Sequence, residues 1–150
     1  MPIAVSATIL RPEELVEHLS DIIEDEITDF KFVSKYDENL IPDYPCVQIQ
    51  PGDLSRDYHG THTFMIFLRA FIYVMHDKFT QTKRVRTEEE LLLVTKVVDF
   101  LNSDITLGGR VIDGFVESEV PAVLPPRTRG GDLVVSTRIG WIGKNEERFK

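Results

Sequence analysis

Thr61-His62-Thr63-Phe64-Met65-Ile66-Phe67-Leu68-Arg69-Ala70-Phe71-Ile72-Tyr73-Val74-Met75 is the segment that decides the fold. Aromatic and β-branched side chains fill it at both alternating parities, which suits a pleated backbone with neighbours on each side. The segment therefore predicts a central strand. One parity, Phe64, Ile66, Leu68, Ala70, Ile72 and Val74, suits a face covered by helices. The other, Met65, Phe67, Phe71 and Tyr73, is apolar enough to require cover of its own. A chain with only two helices has little to spare for that second face, so Met65, Phe67 and Tyr73 are candidate subunit contacts.

Two helical patterns flank this strand. Arg11-Pro12-Glu13-Glu14 opens the first, with Pro in the initial turn and two carboxylates at the positive end of the helix dipole. Leu15, Val16, Leu19, Ile22, Ile23 and Ile27 then form one apolar stripe, opposite Glu17, His18, Asp21, Glu24 and Asp25. Thr87-Glu88-Glu89-Glu90 reads as a capping box, placing the second helix from there to about Asn102. Leu91, Leu93, Val94, Val97, Val98, Phe100 and Leu101 fall on its broad apolar face, while Leu92 falls outside it, beside Lys96 and Asp99, and is a candidate assembly contact.

Shorter strands complete the pattern. Phe30 to Tyr36 alternates loosely, and Tyr44 to Pro51 is a strand that a proline near each end should limit. Arg110 to Val120 is a strand that Gly114 should bend, and Asp132 to Ile142 closes the fold with Leu133, Val135, Thr137, Ile139 and Trp141 on one face. Gly143 to Lys150 is a charged tail expected to fray. The result is an α+β domain: a mainly antiparallel sheet of four to five strands against two helices. Leu19, Ile23, Phe64, Leu68, Val94 and Val98 are the expected core centres.

The 150 residues match one domain, spanning 1–150, large enough to fold without a staple. A net charge of -8 argues against a chain whose main work is coating nucleic acid. Cys46 is the single cysteine, so an internal disulfide is excluded, and a buried thiol in a reducing compartment is expected. Met1 to Leu10 lacks the cationic start of a secretory signal, and no apolar run reaches membrane-spanning length, so a cytoplasmic chain with no membrane partner is expected.

Chemistry is sparse. His59 and His62, near Asp57, could meet a metal only if the chain turned at Gly60, because residues three apart on a strand point to opposite faces. Ordinary loop polarity explains them better, and neither is taken as a ligand. No nucleophile elbow, phosphate loop or zinc-type Cys/His set is present, so no catalytic residue, metal or cofactor is expected, and the chain is not read as an enzyme. Two polar connections, Pro51 to Gly60 with Asp53, Arg56 and Asp57, and His76 to Arg86 with Lys83, Arg84 and Arg86, should lie at opposite ends of the central strand. They would form two separate contact rims. Arg127 and Arg129, in the proline-rich loop Pro121 to Gly131, are a further basic pair suited to an acidic protein partner.

The order of elements, with Tyr44-Pro45-Cys46-Val47 leading to Pro51-Gly52-Asp53 and Thr106-Leu107-Gly108-Gly109 before a strand, resembles the tail terminator and tail completion proteins of long-tailed bacteriophages, including the minor tail protein U type. The resemblance runs from about Leu10 to Trp141 through short strings. It implies a hexameric ring of α+β subunits that caps the tail tube, stops its polymerisation and receives the neck. The expected partners are copies of the chain itself, the tail tube protein and a neck or head completion protein, in a virion assembled in the host cytoplasm. Another head–tail connector or neck protein is the nearest alternative, and a small-ligand or metal-binding α+β module a remoter one.

Overall fold

The computed structural model describes residues 11–35, 45–60, 62–77, 83–121 and 134–148. Helix α1 spans Pro12–Glu26 and is followed by the short strand β1, Phe32–Lys35. Strands β2, Cys46–Gly60, and β3, Thr63–Asp77, form a long hairpin. Helix α2, Lys83–Ser103, leads through a turn into β4, Asp113–Pro121, and the chain's last strand is β5, Val134–Arg148. The five strands lie in the order β1-β2-β3-β5-β4, so β3 is central. All pairings are antiparallel except β1 with β2. The α+β architecture is that expected from the sequence.

Both helices contribute to one core on one face of this sheet. Leu15, Val16, Leu19 and Ile23 of α1, and Leu93, Val94, Val97 and Leu101 of α2, pack with Ile66, Leu68, Ala70, Ile72 and Val74 of β3 and with Ile139 and Trp141 of β5. Trp141 is fully buried, and its ring occupies the space that a Cβ would take at Gly114 and Gly143, paired glycines of β4 and β5. Gly114 is thus a seat for the indole rather than the bend expected of it. The β4 irregularity falls instead between Val116 and Ser118. Of the expected core centres, Leu19, Ile23, Leu68 and Val94 are buried, while Phe64 and Val98 are only partly so. Phe64 lies one step beyond the covered run that starts at Ile66, and stacks edge-on against Tyr58.

Three boundaries differ from the sequence reading. Strand β2 does not stop at Pro51 but continues to Gly60, so Pro51 to Gly60 runs back along β3 and is no polar loop at its end. A bulge between Pro51 and Leu54 absorbs the imino acid's missing N–H, and Gly52 permits it, because a Cβ there would stand 2.8 Å from the Arg69 carbonyl oxygen. Strand β5 likewise runs to Arg148, since residues 143–148 pair with β3 from Leu68 back to Thr63, so the charged tail up to Arg148 is ordered by ladder bonds. Helix α2 begins at Lys83, a turn before Thr87. Lys and Arg are good helix formers and nothing between residues 83 and 87 breaks the helix, so Lys83, Arg84 and Arg86 are helical rather than in a loop, and Thr87 is not its N-cap.

Candidate functional site

The second face of the sheet carries the other parity of β3. Met65, Phe67, Phe71 and Tyr73 are half-buried there, and neither α1 nor α2 contributes to it. Register extends this surface sideways: Phe71 lies opposite Gly140, Tyr73 opposite Arg138, and Arg69 opposite Ile142, which in turn lies opposite Phe115 of β4. The Arg138 guanidinium stands 5.3 Å from the centre of the Phe71 ring, a cation–π contact that keeps a charge over the aromatic strip. Arg69 reaches Asp53 at 3.2 Å and Glu117 at 3.7 Å, tying the β2 bulge to β4 across the sheet. At the upper end, Cys46 and Met75 form a small buried cluster with Phe32 and Tyr73.

The candidate rim residues of β2 are therefore brought alongside β3 rather than beyond its end, Asp53 and Asp57 on this face and Arg56 on the other. Asp57 lies opposite Met65 in the ladder, and Asp53 meets Arg69. Arg56 is exposed, opposite Ile66. Between the end of β2 at Gly60 and the start of β3 at Thr63, His62 takes a left-handed conformation at φ 64°, as tight hairpins often do. Among the described residues no group of three or more His, Cys, Asp or Glu side chains could hold a metal ion, and no described helix is long and apolar enough to cross a membrane. Arg127 and Arg129 lie outside the described residues.

The first half of α2 holds a second unusual surface. At 100° per residue, Glu90 lies on the same line as Leu93, Val94, Val97 and Leu101, and it is 3% exposed. Its carboxyl oxygens meet no well-formed hydrogen bond, the Thr137 hydroxyl acting on them only weakly. Burial pushes its pKa from 4.5 up to about 9, an effect the Thr137 hydroxyl opposes without offsetting. Leu91 and Leu92, the next two residues, are instead 50% and 64% exposed. Beside Glu90, His76 Nε2 stands 2.7 Å from Glu89 Oε2. Leu92 and Leu93, with Pro45, His76 and Glu89, border a groove of about 360 Å³ whose rim carries Lys31, Asp29 and Lys96. Lys96 Nζ donates to Asp29 Oδ2 at 2.6 Å.

Leu92 is thus exposed as expected, whereas Leu91, expected in the core, is not buried. The cluster of Glu89, Glu90 and His76 is hidden in the sequence because Thr87 and the three glutamates after it also fit a capping box. The helical phase of Glu90 with Leu93 and Val97 was the available signal. In comparison with known proteins, the chain matches no protein-family model and no curated sequence at a significant level.

Proposed function

We propose that this chain is a structural assembly subunit of a tailed bacteriophage, a tail terminator that forms a ring, ends tail-tube polymerisation and receives the neck. The observation that supports it most is the asymmetry of the sheet: both described helices lie on one face, while on the other Met65, Phe67, Phe71 and Tyr73 are only half-buried, although Ser34, Cys46, Gln48 and Met75 at its β1–β2 end are enclosed. A sheet of this kind gains by adding a protein layer, and self-association supplies one. The specific phage role rests on the resemblance of the chain's short motifs to that family.

Native mass measurement and negative-stain imaging of the purified protein test the reading. Rings are the expected result, and replacing Phe67 and Tyr73 together by charged residues is expected to convert them to folded monomers. A wild-type chain that remains monomeric at every concentration and does not bind isolated tail tubes overturns it.

A further inference from the structure

Two surfaces on opposite sides of the sheet carry complementary groups. On the open face, the Arg138 guanidinium stands 5.3 Å from the centre of the half-buried Phe71 ring. Its Nε is enclosed without a hydrogen-bond partner, and no described carboxylate forms an ion pair with it. Arg69, on the same face, is by contrast already held by Asp53 and Glu117. The acids Asp57 and Glu146 lie opposite Met65, at the far end of the aromatic strip from Arg138. A cation kept over aromatic side chains without a counter-ion is where an incoming carboxylate gains most. The layer that suits this face is therefore apolar, with an acid at the Arg138 end.

The outer surface of α2 has that composition. At 100° per residue, Glu88, Thr95 and Asp99 fall within about 60° of Leu92, and Leu91 lies about 100° away on the same side. All five are exposed, and the stripe points away from the core line of Leu93, Val94, Val97 and Leu101. Asp99 forms no ion pair with a described residue, whereas Lys96, at the margin of the stripe, is tied to Asp29 and Glu88 has contacts within the subunit. Spacing agrees as well. Asp99 is about 10 Å along the helix axis from Leu92, and Phe71 is about 13 Å along its strand from Phe67. An acid can thus meet Arg138 over Phe71 while the leucines cover Phe67. Because α2 packs on the other face of the sheet, one molecule presents both surfaces at once.

We infer that α2 of a second copy of this chain lies on the open sheet face, with Leu91 and Leu92 against Phe67 and Phe71 and its Asp99 paired with Arg138. This rests on the ring reading above and names its lateral contact. The two patches differ and lie on opposite sides of the subunit, so the contact is heterologous and closes a ring when the rotation permits. Each added copy supplies the helical layer that its neighbour's open sheet face lacks. Two open faces packed on each other would instead stop at a dimer and leave Leu91, Leu92 and Asp99 in solvent.

The test is a charge exchange between chains, using Asp99→Arg and Arg138→Asp. Circular dichroism and thermal melts establish that each variant folds, and native mass measurement with negative-stain imaging counts the copies. Either variant alone opposes like charges at every contact, so its rings are expected to need a concentration more than about tenfold above wild type. An equal mixture should restore them, with the two variants alternating around the ring, because each helix then meets a sheet of opposite sign. Leu92→Asp, at an exposed position, should abolish rings. Rings unchanged in either Asp99→Arg or Leu92→Asp overturn this contact while leaving ring formation in place, as do single variants that lose rings and are not restored by mixing. A wild-type chain that forms only a two-fold dimer, insensitive to Leu92→Asp, overturns it in favour of sheet-to-sheet pairing. A wild-type chain that forms no rings, alone or on tail tubes, removes the ring reading and this inference together.

Discussion

The two faces of β3 have nearly the same apolar content and opposite fates. Ile66, Leu68, Ala70, Ile72 and Val74 are at most 2% exposed under α1 and α2, whereas Met65, Phe67, Phe71 and Tyr73 stay half-buried on a surface that neither helix reaches. Hydrophobicity alone therefore does not decide which face becomes the core. The decision lies with the helices, both of which pack their apolar stripes on the same face of the sheet. The difference separates residues that hold the subunit together from residues on which the proposed association of subunits would draw.

The largest expected effect is in the covered face. Leu68→Ala should destabilise the chain by about 2–5 kcal/mol in denaturant unfolding, since its side chain is enclosed and the site cannot fully collapse. Phe67→Ala, one residue away, should cost roughly 1 kcal/mol in the monomer despite removing more atoms. Equal losses would break the comparison by showing that the second face is already covered in the free subunit.

Next comes pH dependence beneath α2. The Glu90 carboxyl has a folded-state pKa of about 9 against 4.5 for the ordinary group, so the folded chain holds this proton more tightly than the unfolded one. Its favourable contribution is complete below about pH 4.5 and is lost as pH rises through the interval to about 9, at roughly 1.4 kcal/mol per pH unit at most. Glu90→Gln should flatten that part of the stability profile, measured by urea midpoints from pH 5 to 9. An unchanged slope would mean that Glu90 is ionised and served by a charge.

Smaller effects test the edges of the two-faced sheet. Gly52→Ala should cost roughly 1–3 kcal/mol, because the added Cβ meets the Arg69 backbone across the bulge rather than a side chain free to move. Glu17→Gln breaks the 2.6 Å pair with Lys35 and should change stability by about 0.5 kcal/mol or less, since both groups are exposed to solvent. Thermal unfolding at low and high salt distinguishes the two, because only the second should fade with added salt.

Much of the fold was legible because periodicity carries it. The stripe from Leu15 to Ile23 and the alternation from Ile66 to Val74 specify a helix and a two-faced strand without help from the rest of the chain. What escaped was where ladders override local composition. Pro51, Gly52 and Asp53 read as the end of a strand, yet pairing with β3 on both sides of a bulge carries β2 to Gly60. Residues 143–148 read as a frayed tail, yet β3 is long enough to pair them. At the candidate site, the exposure of Leu92 was legible from its helical phase, while the buried Glu90 was hidden by a second valid use of the same residues, a capping box. Burial of an acid is decided by the helix's other contacts, which local sequence does not contain.

The seating of Trp141 over Gly114 and Gly143 has an optical consequence. It is the chain's single tryptophan, fully buried on the helix-covered face, with an indole N–H that lacks a hydrogen-bond partner. Its fluorescence should therefore be blue-shifted in the folded subunit and move to longer wavelength only when the core opens. Because the indole lies on the opposite side of the sheet from Phe67 and Tyr73, the association of copies through that face should leave its emission nearly unchanged while altering the light scattered by the sample. One cuvette thus separates unfolding from assembly without any added label.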